Sequence, residues 1–253
     1  MTDLTPFGSA ADWRTLLLEQ HHLAETEFAS AIDLVAVAAV RSESAEVKAT
    51  LGELAQRLQH YAVLQRTLAV PERYDVLVNS AEYLERLGLS MSRSRLDDMQ
   101  IHLVVAAQSL PLRSDRCQRL GLMVHELITN AARHACFGGR AGEIRVELQR
   151  AGPSAKCIVT DNGSPVAGFK PGRGLKIVNE LVKGMAGRLQ HRLGDAGACC
   201  VVVFPLTERE LAAEEAAAAR RAKTARRLKA IRSAPGARRR RPDPMELRPE
   251  VQT

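Results

Sequence analysis

The segment His125–Cys136 reads HELITNAARHAC, and its polar residues fall at the spacing of one helix face. At ~100° per residue, Glu126, Asn130 and Arg133 share a line, with His134 beside it. Val124, Leu127, Ile128, Ala131 and Ala135 take the adjoining side and supply an apolar face. Such a helix rests on a core by one side and offers a carboxylate, a carboxamide and a guanidinium along the other. In most amphipathic helices that row is only a solvated face, so the segments that follow it decide its meaning.

Two of them come in order, VTDNGSP at 159–165 and GRGLKIVNEL at 172–181. Asp161 closes an apolar strand, where its carboxylate can accept a hydrogen bond from an exocyclic amine and so select adenine over guanine. Gly163 lets the backbone approach a flat base closely. Gly172 and Gly174 precede a helix expected to begin near Leu175, whose first N–H groups can cradle phosphate. On the earlier helix, the Asn130 oxygen can join phosphate oxygens around Mg²⁺, a hard cation that takes few protein ligands. Glu126 is placed to orient a metal-bound or attacking water, and Arg133 and His134 can approach phosphate. A lone Asp-Asn-Gly is most often only a turn, whereas the ordered triple points to a nucleotide.

These residues need a scaffold, and three compositions follow one another along the 253-residue chain. Residues 11–70 are rich in Ala, Leu, Glu and Gln, and the spacing predicts two long helices broken at RSESAEV, whose serines suit a helix cap. Joined by a short turn they form an antiparallel hairpin, and each is apolar enough to need a four-helix bundle built from two chains. Residues 72–206 alternate. YDVLVNSAEYLERLGLSMS reads as a helix, IHLVVAA as a strand, RSDRCQRLGLMVHELITNAARHAC as a helix, and GEIRVELQRA and SAKCIVTDNG as strands. GLKIVNELVKGMAG then reads as a helix and GRLQHRLGDAGACCVVVFPL as a closing hairpin. Helices on one side of a mixed, largely antiparallel sheet make the expected fold class α+β: a helical hairpin followed by an α/β sandwich.

From Thr207 onward there are thirteen Lys or Arg against seven Asp or Glu, so six of the seven net positive charges lie in this tail. It starts as an Ala-rich charged helix and ends in the basic run Arg238–Arg241, a solvated tail by composition. The body is close to neutral, and no nucleic-acid partner is expected. Five cysteines without a Cys-x-x-Cys suggest reduced thiols in a cytoplasm. No apolar run nears the ~20 residues that cross a bilayer, and MTDLTPFGSAADW lacks the pattern of an export signal. A cytoplasmic protein without a membrane partner is expected.

Residues 114–205 resemble the ATP-binding domain shared by sensor histidine kinases, gyrase-type ATPases and their relatives. Asn130 lies in the N-box, Asp161 in the first Gly-box, and Gly172 with Gly174 in the second; the first Gly-box departs from the family pattern in reading Ser164-Pro165 where a second glycine is usual. The hairpin narrows the resemblance. LLLEQHHLAETEF is similar to the histidine-containing box of the soluble, blue-light and stress-type histidine kinases, and the following helix, with Arg57, is similar to their second helix. The Trp-x-Glu element of one subfamily is absent, which sets this chain beside that subfamily.

The resemblance implies ATP and Mg²⁺ as cofactors and His22 as phosphoacceptor, with His21 as the neighbouring alternative. Glu19 and Glu25, at i−3 and i+3, can take or orient the other ring proton, and Thr26 can position a water or an incoming aspartate. It further implies a homodimer that autophosphorylates and passes the phosphoryl group to an aspartate on a response regulator receiver domain. Signal input is expected from an upstream sensor protein, the tail or a bound ligand. Leu23 and Thr26 stand where the family places Arg and Asn, which leaves open a degenerate kinase acting as a dimeric phosphotransfer or scaffold protein. A serine kinase of the anti-sigma type would leave the histidine hairpin without a role.

Overall fold

The computed structural model describes residues 10–69, 73, 75–137, 141–165, 173–194 and 197–233, with the backbone alone described at 10–17, 134–136, 165, 173 and 225–233. The chain divides into two units, 1–214 and 215–253. In the first, α1 (Ala10–Arg41) and α2 (Ala45–Thr67) are joined by residues 42–44 and lie against one another. Ser44 caps α2, its side-chain oxygen accepting from the Val47 N–H, so the polar break in the sequence has the local role its serines suggested. The turn that reverses the chain is fixed by that cap. Leu64, on the last turns of α2, is buried in the same core as the helices that follow.

Next come β1 (Leu77–Asn79), α3 (Ser80–Met91), a π-helical turn (Ser92–Leu96), β2 (Ile101–Ala107), β3 (Pro111–Arg113) and α4 (Ser114–His134). They are followed by β4 (Ala135–Cys136), β5 (Gly142–Ala151), β6 (Ser154–Asp161), β7 (Ser164–Pro165), α5 (Arg173–Lys183), β8 (Arg188–Gly194), β9 (Gly197–Pro205) and α6 (Glu208–Ser233). The main sheet has the order β2-β5-β6-β9-β8, parallel only between β2 and β5. Its parallel pair needs a crossover, which α4 supplies.

Period-two burial makes this sheet one-sided. Ile144, Val146 and Leu148 of β5, Ala155, Cys157 and Val159 of β6, and Cys200, Val202 and Phe204 of β9 are all buried. Against them pack Leu120, Met123, Leu127 and Ile128 of α4 and Val178 and Val182 of α5. The result is the expected α+β arrangement of helices over a mixed sheet. Burial pushes the thiols of Cys117, Cys157 and Cys200 up to about 12, so they stay protonated and serve as small apolar groups.

Three local expectations are corrected. Within YDVLVNSAEYLERLGLSMS, read as one helix, Leu77–Asn79 form β1, which pairs with β3; Asn79 accepts from the Ala81 N–H and α3 starts only at Ser80. The α4 helix ends at His134, because Ala135 and Cys136 leave it to pair with Pro165 and Ser164. Helix α5 starts at Arg173, so Gly174 lies inside its first turn instead of preceding it. In each case a long-range partner overrides the local pattern.

The last helix is anchored at its start by a capping box. The Glu210 carboxylate accepts from the Thr207 N–H at 2.8 Å, and the Glu210 N–H donates to Thr207 Oγ1 at 3.3 Å. Glu210 is fully buried, and it also accepts from the Arg113 N–H at 2.9 Å and lies 3.1 Å from Arg116 Nε. Glu210→Ala strands these donors and should lower the unfolding free energy by about 3–5 kcal/mol. Urea unfolding of the full chain, followed by circular dichroism, measures it; an unchanged midpoint would contradict this role.

Candidate functional site

The apolar stripe of α4 is buried, and its polar row grades outward. Glu126 and Asn130 are partly buried while Arg133 is exposed. His125 lies beside the row, with Nδ1 3.7 Å from Glu126 Oε1, and burial pushes its pKa down against the pull of that carboxylate. Helix α5 packs across α4 at Gly174. A Cβ there would stand 2.7 Å from Glu126 Oε2 and 3.2 Å from both Asn130 amide atoms. Only a glycine fits this approach without displacing those groups, so the two sequence segments meet at one point. The Asn130 carboxamide has no hydrogen-bond partner among the described residues and is free to bind a ligand. Together with Glu126 it offers hard oxygen donors of the kind Mg²⁺ takes.

Asp161 closes β6 at the edge of the same segment. Its Oδ1 accepts from the Gly163 N–H at 3.0 Å and from the Ala198 N–H at 3.3 Å. Burial pushes its carboxyl above the usual carboxylate range, opposed by those two N–H groups and by His191 on β8. Gly197 has φ +126°, and the Asp161 carbonyl occupies the place a Cβ would take, so the β8–β9 turn admits only glycine here. The β4–β7 pairing ties the residues after Asp161 to the end of α4. The Ser164-Pro165 pair, which departs from the usual second glycine, forms that bridge.

Leu175 turns its side chain to the core, leaving its backbone as the part available to a ligand. His134 ends α4, its side chain lying outside the described residues, as do Gly172 and the loop 166–172. A residue that the sequence reading passed over is Asn162. Its Oδ1 accepts from the Glu143 N–H at 2.8 Å, its Nδ2 donates to the Ala141 carbonyl at 3.1 Å, and its own N–H donates to the Glu143 carbonyl at 3.2 Å. Asn162 therefore staples the Asp161 loop to the start of β5. Its place within Asp-Asn-Gly was the only local signal, and that signal is common to ordinary turns.

On α1, Glu19 and His22 are exposed, whereas His21 is half-buried. Glu25 is held away from His22's outer side: its Oε1 accepts from Arg66 Nε of α2 at 3.0 Å and lies 3.7 Å from His21 Nε2. The Arg66 hydrogen bond, above all, holds the Glu25 carboxyl below its usual range. The Thr26 hydroxyl donates to the His22 carbonyl at 3.0 Å, one turn back along the helix. Arg57 forms an ion pair with Asp98 at 3.3 Å, and both side chains are about half exposed.

Residues 92–203 match the family model described as the histidine kinase-like ATPase domain. Blue-light-activated histidine kinase 2 of Erythrobacter litoralis (strain HTCC2594) is 24% identical over 206 residues, 77% of this chain and 58% of that protein. The chain thus spans less than two thirds of that relative's length. Among solved structures, the histidine kinase domain of the Erythrobacter litoralis EL346 blue-light activated histidine kinase has a similar fold, with TM-score 0.51 and 20% identity, covering 74% of this chain and 98% of that one. A bacterial phosphotransferase structure gives TM-score 0.52 at 11% identity, covering 79% of this chain and all of the other. Residues 92–203 are thus similar to histidine kinase-like ATPase domains, and the chain over most of its length is similar to a blue-light-activated histidine kinase.

Proposed function

We propose that this chain is a cytoplasmic protein histidine kinase that works as a homodimer, in which residues 11–70 form the dimerising and phosphoacceptor domain, 72–206 the catalytic domain and 207–253 a basic tail. The observation that carries the reading is Gly174 seated against Glu126 and Asn130, which joins the N-box to the helix start expected to receive phosphates. Asp161 reads the adenine amine, Gly163 admits the base, and backbone N–H groups at Gly174 and Leu175 take the phosphates, a role assigned to Gly172 as well. Arg133 supplies positive charge at the outer end of the row, and His134 is the second residue assigned to approach phosphate. Asn130 is the residue that would hold Mg²⁺ beside the nucleotide, and the ion would supply neutralisation of phosphate charge.

Phosphoryl transfer depends mainly on positioning and charge. A neutral His22 ring nitrogen attacks the γ-phosphorus as the bond to the β-phosphate oxygen breaks, giving phosphohistidine and ADP. The proton on the other ring nitrogen passes to a carboxylate, Glu19 or Glu25. The phosphoryl group then passes to an aspartate of a response regulator receiver domain, and an upstream sensor protein provides input. Exposed Val47, Leu54 and Tyr61 repeat every seven residues along α2, with Leu34 and Val37 exposed on α1, so a second copy is the natural cover for this surface.

Four tests bear on this reading. Incorporation of acid-labile phosphate from γ-labelled ATP should survive His21→Ala and vanish in His22→Ala; the reverse pattern moves the acceptor to His21. No label in any variant, with ATP binding that fails in Asn130→Ala, favours the phosphotransfer or scaffold alternative, to which Leu23, Pro165 and Thr26, whose hydroxyl donates to the His22 carbonyl, point. Gly174→Ala should weaken ATP binding at least ~tenfold, about 1.4 kcal/mol. Because Asp161 titrates above the usual range, ATP affinity should fall with acidification sooner than an ordinary carboxylate near pH ~4 would allow. Asp161→Asn removes that pH dependence. Leu54→Glu should convert the dimer to monomer in light scattering, and a wild-type monomer would rule out the assembly.

A further inference from the structure

A cavity of about 410 Å³ lies between α2 and α3, sharing no lining residue with the Glu126–Asn130 site. Arg66 and His60 of α2 line it together with Arg86 of α3 and Arg93 of the π-helical turn, while Val63 and Leu89 give it an apolar side. No carboxylate lines it. Its volume falls in the range of small-molecule sites, ~300–1,000 Å³. Three guanidinium groups around one concavity repel each other and focus positive potential into it, which an anion relieves. The Arg86 and Arg93 guanidinium groups make no ion pair or hydrogen bond among the described residues. His60 stands beside them, its Nδ1 buried and without a hydrogen-bond partner among the described residues. An arginine fork is suited to phosphate or carboxylate oxygens.

Only Arg66 is engaged, through its Nε bond to Glu25. It therefore belongs both to the cavity wall and to the surroundings of the histidine pair. We propose that this cavity binds a small soluble organic dianion, a phosphate monoester with a compact apolar group, and that occupation draws Arg66 from Glu25. Val63 and Leu89 take the apolar group, and the guanidinium groups take the oxygens. Glu25 is then released beside His21 and His22. The binding stands on the cavity alone, whereas its consequence for phosphotransfer rests on the histidine kinase reading.

Phenyl phosphate is the probe, added to the full chain without ATP or divalent cation. Calorimetry should show saturable binding that weakens at least ~tenfold in the double variant Arg86→Ala/Arg93→Ala and is unchanged in Asn130→Ala. Both arginines are exposed, so the double variant should keep the wild-type melting temperature. The variant Arg86→Lys/Arg93→Lys, which keeps the charge and loses the fork, should fall between. No saturable binding, equal binding in the double Ala variant, or loss in Asn130→Ala would overturn the site. At saturation the His21 and His22 ring resonances should shift in the wild type and stay fixed in Arg66→Gln; rings that do not respond in the wild type would overturn the link to Glu25. Neither readout uses phosphorylation, so this proposal and the kinase reading fail separately.

Discussion

The site's placement hangs on the apolar stripe of α4. Leu120, Met123, Leu127 and Ile128 are buried against one face of the sheet, and a fully buried side chain of this size is worth about 1.5–3 kcal/mol. Rotating the helix to hide its polar row would expose all four. The row Glu126, Asn130, Arg133 is thus held in one direction by the same burial that holds the domain together. Position along the helix then sets depth, from the partly buried Glu126 and Asn130 to the exposed Arg133.

Close approach does the remaining assembly. Gly174 has no side chain where α5 meets α4, and Gly197 has none where the β8–β9 turn meets the Asp161 carbonyl. Two distant parts of the chain reach Glu126, Asn130 and Asp161 only because these positions are empty of Cβ. Asn162 adds a different constraint, three hydrogen bonds to β5 and the residue before it, so that Asp161 projects from a fixed loop. A half-buried carboxylate with two backbone donors on one oxygen keeps its other oxygen for a ligand.

Charge is distributed differently on the two helices of the N-terminal segment. Glu25 has drawn Arg66 across from α2 and stands nearest His21, leaving His22 the exposed histidine. An exposed ring can be reached from solvent, which suits the acceptor role proposed for His22. The Arg66 link also joins that helix pair to the basic cavity beside α3. The exposed Arg57–Asp98 pair adds a second tie, one worth no more than about 1 kcal/mol.

By itself the sequence determined what is periodic or ordered along the chain. The strand β2 coincides with IHLVVAA, β5 with GEIRVELQRA, and Ser44 caps α2 where the serines predicted a cap. The order of Glu126–Asn130, Asp161 and Gly174 was legible because helix and strand periods are local properties of the backbone. Tertiary structure decided what depends on a partner distant in sequence. It made a strand of Leu77–Asn79, ended α4 at the β4–β7 bridge and put Gly174 inside a helix. It also assigned Arg66 to Glu25 and gathered Arg86 and Arg93 around one cavity. Hydrogen-bond pairing and side-chain packing between elements depend on distances in space, and no spacing within a single segment encodes them.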